Sequence, residues 1–104
     1  MQRIAFTMQL KPGYEEEYQR RHDKIWPEMV TVLHQAGISN YSIFLDEATL
    51  RLFAYLEVND EYDANWIPRQ PIVRKWWDMM SDIMDTNPDH SPVQFPLREV
   101  FYLG

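Results

Sequence analysis

Tyr18 and His22 are the two residues whose types and spacing are best suited to chemistry in this chain. Four positions apart on a helix, they share one face, where a phenol and an imidazole can donate and accept protons on one bound group. Histidine, with an ordinary pKa of about 6.5, can act as acid or base near neutrality. The alternative is that His22 is a satisfied histidine at a buried helix edge. The pair by itself leaves both interpretations open.

Three further aromatic residues could wall a pocket around that pair. Trp76 and Trp77 are adjacent, so on a helix they point about 100° apart and cannot both enter the same core stripe. One can pack in the core while the other offers a flat face to a sugar ring or a heteroaromatic. Tyr41 alternates with Ile43 and Leu45 on one face of a predicted strand. Packing in the core or at an interface is the alternative for all three.

No other pattern in the sequence indicates a metal site or a cofactor site. The histidines His22, His34 and His90 are too scattered for a short metal-ligand motif, and the chain has no cysteine. There is neither a glycine-rich phosphate loop nor a nucleophile elbow. Glu15–Glu17 more simply complements the positive end of a helix. We therefore expect chemistry that needs no metal and no cofactor.

Length and composition restrict the class of protein. The 104 residues are enough for one domain, expected over residues 1–104, and 10 Lys and Arg against 16 Asp and Glu give a net charge of −6. This charge repels phosphate backbones, so nucleic acid is not an expected partner. Neither a signal sequence nor an apolar run of membrane-spanning length is recognised. These features predict a cytoplasmic protein without a membrane partner.

The first third of the chain changes from a strand pattern to a helical one. Alternating apolar residues predict a strand over Arg3–Leu10. Apolar residues at three- and four-residue steps predict a long amphipathic helix over Tyr14–Ala36, with Gly37 as its C-cap. Pro27 has no N–H and disfavours helical geometry at Trp26. A kink or a new helical start is therefore expected at that proline.

Strands, helices and one loop are predicted for the remainder. Two strands form a hairpin, Asp60 caps a short helix that Pro68 closes, another helix begins near Pro71, and a surface loop leads to a last strand. In chain order these are the hairpin strands Ser39–Asp46 and Leu50–Val58, the short helix 60–68, the helix from Pro71 to about Met84 with Val73, Trp76 or Trp77, Met80 and Ile83 on its apolar side, the loop 85–96, and the last strand Leu97–Leu103.

The resulting order, β-α-β-β-α-β, predicts an α+β fold of the ferredoxin-like type with an antiparallel four-stranded sheet. Residues of the third strand are apolar on both faces, with Leu52 and Leu56 on one side and Phe53 and Tyr55 on the other. Two helices can cover only one side of such a sheet. We therefore expect a homodimer in which the second copy covers the other face.

Several short segments, in the same order along nearly the whole chain, resemble the L-rhamnose mutarotases, a family of dimeric ferredoxin-like (dimeric α/β-barrel) proteins. The matching segments are Phe6, Met8-Gln9, EEYQRRHDKIWPE (16–28), Asn40-Tyr41, Lys75-Trp76-Trp77, Asn87-Pro88-Asp89, Ser91-Pro92 and Glu99–Leu103. The resemblance implies that His22 acts as proton donor and that Tyr18, Tyr41, Trp76 and Trp77 line the sugar site. Two features depart from the family pattern: the Pro68–Pro71 segment, and His90 at a position where a polar amide is expected. These departures leave the preferred sugar of this chain open.

Anomer exchange is within the chemical reach of these residues. An aldopyranose opens when its C1 hydroxyl loses a proton and its ring oxygen gains one, and it recloses on either face of the aldehyde. His22 with Tyr18, or with a bound water, can supply both transfers. Whether Asp46 or Asp89 also takes part is open. Two rival functions are a cofactor-independent monooxygenase or haem-handling protein of the same fold, and a non-catalytic binding dimer.

Overall fold

Seven helices and strands and one short 3-10 helix follow one another in the computed structural model, which describes residues 1–104. They are β1 (Gln2–Gln9), α1 (Glu15–Asp23), α2 (Pro27–Gln35), β2 (Ile38–Asp46), β3 (Arg51–Val58), the 3-10 helix (Ile67–Arg69), α3 (Pro71–Met80) and β4 (Phe95–Leu97). None of the helices has the length and apolar character required to cross a bilayer.

The strands form one sheet in the order β2-β3-β1-β4, with every neighbouring pair antiparallel. This confirms the predicted α+β fold with a four-stranded antiparallel sheet. Period-two alternation places Leu52, Ala54, Leu56 and Val58 of β3 on the face that the helices cover, where all four are buried. Side chains of α1, α2 and α3 complete the core on that face; they include Tyr18, Met29, Val73, Trp76 and Met80.

Pro27 separates two helices. Trp26 has extended backbone geometry, with φ −63° and ψ 134°, and Pro27 occupies the first helical position of α2, where its missing N–H costs nothing. The prediction of a new helical start is confirmed. As a result α1 is only nine residues long, and it carries both Tyr18 and His22.

A β-bulge in β2 determines which way Tyr41 points. The pairing with β3 shifts register between Ser39 and Ser42, and Asn40 has φ 49°. In a regular strand that starts with the buried Ile38, Tyr41 would lie on the opposite face. The extra residue places Tyr41 on the same face as Ile43, beneath the helices, as the alternation of Tyr41, Ile43 and Leu45 predicts.

The predicted helix from Asp60 to Pro68 is wrong. Residues 60–66 form turns, and Pro68 lies within the 3-10 helix. The side chain of Asn59 accepts a hydrogen bond from the N–H of Glu61 at 3.0 Å, and Asp63 accepts one from Asn65 at 2.9 Å. These local turns compete with helical hydrogen bonding.

The last strand and the third helix are both shorter than predicted. β4 spans Phe95–Leu97, so the expected strand at Leu97–Leu103 is wrong except at its first residue, and α3 ends at Met80 rather than near Met84. The apolar side chains of the tail find no surface in the single chain, since Val100, Phe101 and Leu103 are each at least 78% exposed. Pairing with β1 therefore ends after Leu97.

Gly37 ends α2 in the left-handed region, at φ +88°, and confirms the predicted C-cap. A Cβ at this position would overlap the side chain of Asn59, whereas Gly13, at φ +90°, has no atom within 4 Å of such a Cβ. We expect Gly13→Ala to lower the free energy of unfolding by about 1–2 kcal/mol. Gly37→Ala is expected to cost about 1–3 kcal/mol more. Urea denaturation of both variants measures the difference, and equal losses would contradict the overlap.

Candidate active site

Tyr18 and His22 lie on one face of α1, as their spacing predicts. Their rings stack with centroids 4.3 Å apart and an interplanar angle of 27°. The Nδ1 atom of His22 lies 3.0 Å from the carbonyl oxygen of Tyr18. Because a carbonyl oxygen only accepts, Nδ1 must carry the hydrogen in the neutral ring, and Nε2 is left as a free acceptor.

Trp76 fixes the other side of the imidazole. Its ring meets His22 edge-on at 5.4 Å and meets Trp26 in the same manner at 5.1 Å. Trp76 is 7% exposed and belongs to the core, whereas Trp77 is half-buried beside it. The two indoles therefore divide into a core residue and a wall, which is one of the arrangements their adjacency predicts. Packing from α3 thus holds the His22 ring in place.

Burial sets the protonation states of these groups. Burial lowers the pKa of His22 below its ordinary value, against a smaller opposing effect from the Tyr18 carbonyl and Asp23. Burial, and next the neighbouring Tyr41, raise the pKa of Tyr18. Burial, and next Tyr62, raise the pKa of Tyr41 to about 12. At neutral pH the site therefore holds a neutral imidazole and protonated phenols.

A cavity of about 1100 Å³ lies between the helices and the sheet. Twenty-two of its 31 lining residues are hydrophobic, so it suits a ligand with apolar faces. All five residues singled out in the sequence line it, namely Tyr18, His22, Tyr41, Trp76 and Trp77. Asp46, Asp89 and His90 do not line it: Asp46 caps the β2–β3 turn, Asp89 pairs with Arg74, and His90 pairs with Asp78.

The polar atoms of the lining are available to a ligand. The structure has no hydrogen bond that uses the hydroxyl of Tyr18 or of Tyr41, or Nε2 of His22, and no buried polar side-chain atom lacks a partner. These atoms therefore face space that a ligand or solvent can reach. Donors and acceptors set among aromatic faces are what recognition of a polyhydroxylated ring requires.

Comparison with known proteins agrees with this geometry. The sequence profile of the L-rhamnose mutarotase family matches residues 3–103. The chain belongs to the L-rhamnose mutarotase family. An L-rhamnose mutarotase of Paraburkholderia phytofirmans is 52% identical over 100% of this chain and 97% of its own length, and one of Acidiphilium cryptum is 53% identical over 99% of each. The crystal structure of the L-rhamnose mutarotase of Formosa agariphila covers 100% of both chains, with a TM-score of 0.93 and 48% identity.

Several residues that line the cavity of this family member are not identified as site residues by their sequence pattern. Tyr62 comes from the turns where a helix is predicted, and Asn87 and Ser91 come from a loop without periodicity. Asp23 also borders the cavity, one residue after His22. The turn residues Asn, Pro and Asp at 87–89 were the available signal, because polar loop residues held by tight turns often contact ligands. No three His, Asp or Glu side chains converge in a way that could hold a metal ion.

Proposed function

We propose that this chain is an L-rhamnose mutarotase, an isomerase that interconverts the α and β anomers of L-rhamnose. The observation that carries the proposal is the stacked Tyr18–His22 pair, which presents free polar atoms to an aromatic cavity. Membership of the family over residues 3–103 supports the same substrate.

The proposed reaction consists of two proton transfers around C1 of the sugar. The free Nε2 of neutral His22 accepts the proton of the C1 hydroxyl as the bond from C1 to the ring oxygen breaks. Protonated His22 gives this proton to the ring oxygen, directly or through a bound water, and the open aldehyde rotates about its C1–C2 bond before it closes by the reverse steps. Once protonated, His22 is the proton donor, which is the role that the family resemblance implies.

The other predicted site residues have binding roles in this proposal. The protonated hydroxyls of Tyr18 and Tyr41 donate hydrogen bonds to sugar oxygens, and Tyr18 also assists the transfer at the ring oxygen. Trp76 and Trp77 contact the C–H face and the C6 methyl group of a 6-deoxy sugar. The substrate carries no charge, so the net charge of −6 does not repel it.

Saturation-transfer NMR on the anomeric protons of L-rhamnose tests the function. Added wild-type protein is expected to transfer saturation between the two signals at a rate proportional to its concentration. The rival functions predict other results: oxygen consumption, a Soret band on addition of haem, or sugar binding without faster exchange. Any of these without anomer exchange would contradict the proposal.

The homodimer expected from the sequence remains a proposal, supported by the uncovered face of the sheet. Phe44 is 67% exposed, Phe95 61%, and Phe53 38%. In the sheet register Phe44 lies opposite Phe53, and Thr7 lies opposite both Phe53 and Phe95, so phenylalanines of β2, β3 and β4 share one face of the sheet with Thr7 of β1. Such a patch on one face of a sheet favours packing against a second sheet.

Phe53→Glu tests this proposal because it places a charge at the centre of the face. The wild-type chain is expected to have twice the chain mass in light scattering after size exclusion, and Phe53→Glu is expected to have the mass of one chain. Val30→Glu is the matched control, since Val30 is an exposed apolar residue of α2 and not of the sheet. A monomeric wild type, or a dimer that survives Phe53→Glu unchanged, would contradict the sheet interface.

The cytoplasmic location stays a prediction.

A further inference from the structure

Arg74 connects three segments that border the cavity. It lies on the exposed side of α3, where its Nε donates a hydrogen bond to the carbonyl oxygen of Pro68 at 2.8 Å. Its Nη1 donates to Oδ2 of Asp89 at 3.2 Å, and its guanidinium carbon lies 5.5 Å from the centroid of the Trp77 ring. The 3-10 helix, the indole wall and the loop after α3 therefore meet at one guanidinium group.

Hydrogen bonds lead from Asp89 into the cavity lining. Oδ1 of Asp89 accepts from the N–H of Ser91 at 3.0 Å and from the Ser91 hydroxyl. The side-chain amide of Asn87 donates to the Ser91 hydroxyl oxygen at 3.0 Å and to the Pro92 carbonyl oxygen at 3.4 Å. Both Asn87 and Ser91 line the cavity. With the donors of its amide engaged, Asn87 keeps its side-chain oxygen as an acceptor for a ligand hydroxyl.

A second pair of residues connects α3 to the same loop, one helical turn after Arg74. Asp78 and His90 pair at 2.8 Å between Oδ1 and Nδ1, and the N–H of His90 donates to the Asn87 carbonyl oxygen at 2.9 Å. His90 has φ 70°, a left-handed geometry that suits asparagine or glycine better and that persists only where neighbouring contacts hold it. The His90 side chain thus belongs to the anchoring of the Asp85–Val93 loop and not to the cavity.

We propose that Arg74 is a positioning residue for the sugar. It holds the Trp77 ring and the Asp85–Val93 loop at the border of the cavity, so that Asn87 and Ser91 present hydrogen-bonding groups in a fixed place. Arg74 touches none of the reacting atoms in this arrangement, so its loss affects sugar binding more than proton transfer. This inference rests on the proposed mutarotase function and adds a specificity element to it.

A purely structural role for Arg74 predicts that its replacement lowers the thermal midpoint of unfolding, whereas a positioning role does not. The Arg74 side chain is 46% exposed and that of Asp89 54%, and ion pairs this exposed contribute little to folding stability. Loss of the pair should therefore leave the thermal midpoint nearly unchanged. An effect confined to KM separates positioning of the sugar from stabilisation of the fold.

Arg74→Met keeps an unbranched apolar side chain against Trp77 but removes both hydrogen bonds and the charge. We expect KM for L-rhamnose exchange to rise about tenfold with kcat within about twofold of wild type. Arg74→Lys keeps the charge but cannot reach Pro68 and Asp89 together, so its KM should lie between that of wild type and that of Arg74→Met. Arg69→Met is the matched control, because Arg69 is exposed and lies outside the cavity lining; its KM should equal that of wild type.

The double variant Arg74→Met/Asp89→Asn shows whether the two residues act through one chain of hydrogen bonds. If they do, its KM equals that of the worse single variant instead of the product of the two effects. An unchanged KM in Arg74→Met, a loss of kcat alone, or multiplied effects in the double variant would overturn the inference. Absence of exchange in the wild-type protein would instead overturn the proposed function, so the two failures are distinguishable.

Discussion

Replacement of His22 by glutamine is expected to slow the catalysed anomer exchange by about 10²- to 10⁴-fold. Glutamine keeps hydrogen-bonding groups in the same region of the cavity but cannot take up or release a proton. The side chain of His22 is partly buried between Tyr18 and Trp76, and glutamine can occupy part of the same space without a charge. The variant should therefore remain folded, and saturation-transfer NMR would report the loss of chemistry alone.

His34→Gln is the matched control for this variant, since His34 is exposed on α2 and lies outside the cavity lining. Its exchange rate should equal that of wild type. A His22→Gln variant that exchanges anomers at the wild-type rate would remove His22 from the mechanism and favour a role in binding alone.

The lowered pKa of His22 gives this prediction a pH dependence. Neutral Nε2 is the base, so exchange should hold through neutrality and decline only as the pH falls through the lowered folded-state pKa. Between that value and the ordinary histidine pKa of about 6.5, the unfolded chain binds the proton more readily, so this group reduces stability as the pH falls through that window. In His22→Gln both effects should be absent.

Trp76→Ala is expected to cause the largest loss of stability among single substitutions in the site, about 3–5 kcal/mol in the free energy of unfolding. Trp76 is 7% exposed and packs edge-on against both His22 and Trp26. Its removal leaves a cavity at the point where α1, the start of α2 and α3 meet. Exchange activity should fall as well, because the imidazole loses the contact that fixes its orientation.

Trp77→Ala is the comparison that separates packing from ligand contact. Trp77 is half-buried and lines the cavity beside Trp76. Its loss should cost less stability than that of Trp76 and should raise KM for the sugar. Urea denaturation and exchange kinetics on both variants provide the test. Equal stability losses at the two positions would contradict the division into a core residue and a wall.

The sequence predicts a helix or strand correctly wherever the burial of its apolar face within the single chain determines it. Alternation in β3 and helical spacing around Tyr18 and His22 both correspond to faces packed in the core. Pro27 was informative because its missing N–H acts locally, whatever the rest of the fold. Tyr41 was placed correctly because the alternation was counted from Ile43, on its own side of the bulge.

Each incorrect prediction has a cause in the local structure of the chain. The helix at 60–68 failed because side-chain turns at Asn59 and Asp63 satisfy the backbone, and periodicity does not register such competition. The strand at Leu97–Leu103 failed because its apolar pattern has no surface within one chain to pack against. An apolar pattern indicates a strand but does not tell whether the chain offers a surface on which that strand can pack.

The sequence pointed to the cavity residues of α1, α3 and β2. Tyr18, His22, Trp76 and Trp77 follow from helical spacing and Tyr41 from alternation along β2, whereas Asn87, Ser91 and Tyr62 reach the cavity from turns. Positions in turns depend on backbone geometry, such as the left-handed conformation of His90, that has no simple period. The polar border of the cavity that these turn residues form could therefore be located only in three dimensions.

A crystal structure of the protein soaked with L-rhamnose would show whether the sugar meets His22. We expect one sugar in the cavity, with the C1 hydroxyl or the ring oxygen about 2.6–3.2 Å from Nε2 of His22. Its C6 methyl group and C–H face should contact the indole rings of Trp76 and Trp77. A sugar bound elsewhere, or bound in the cavity with C1 directed away from His22, would contradict the proposed site.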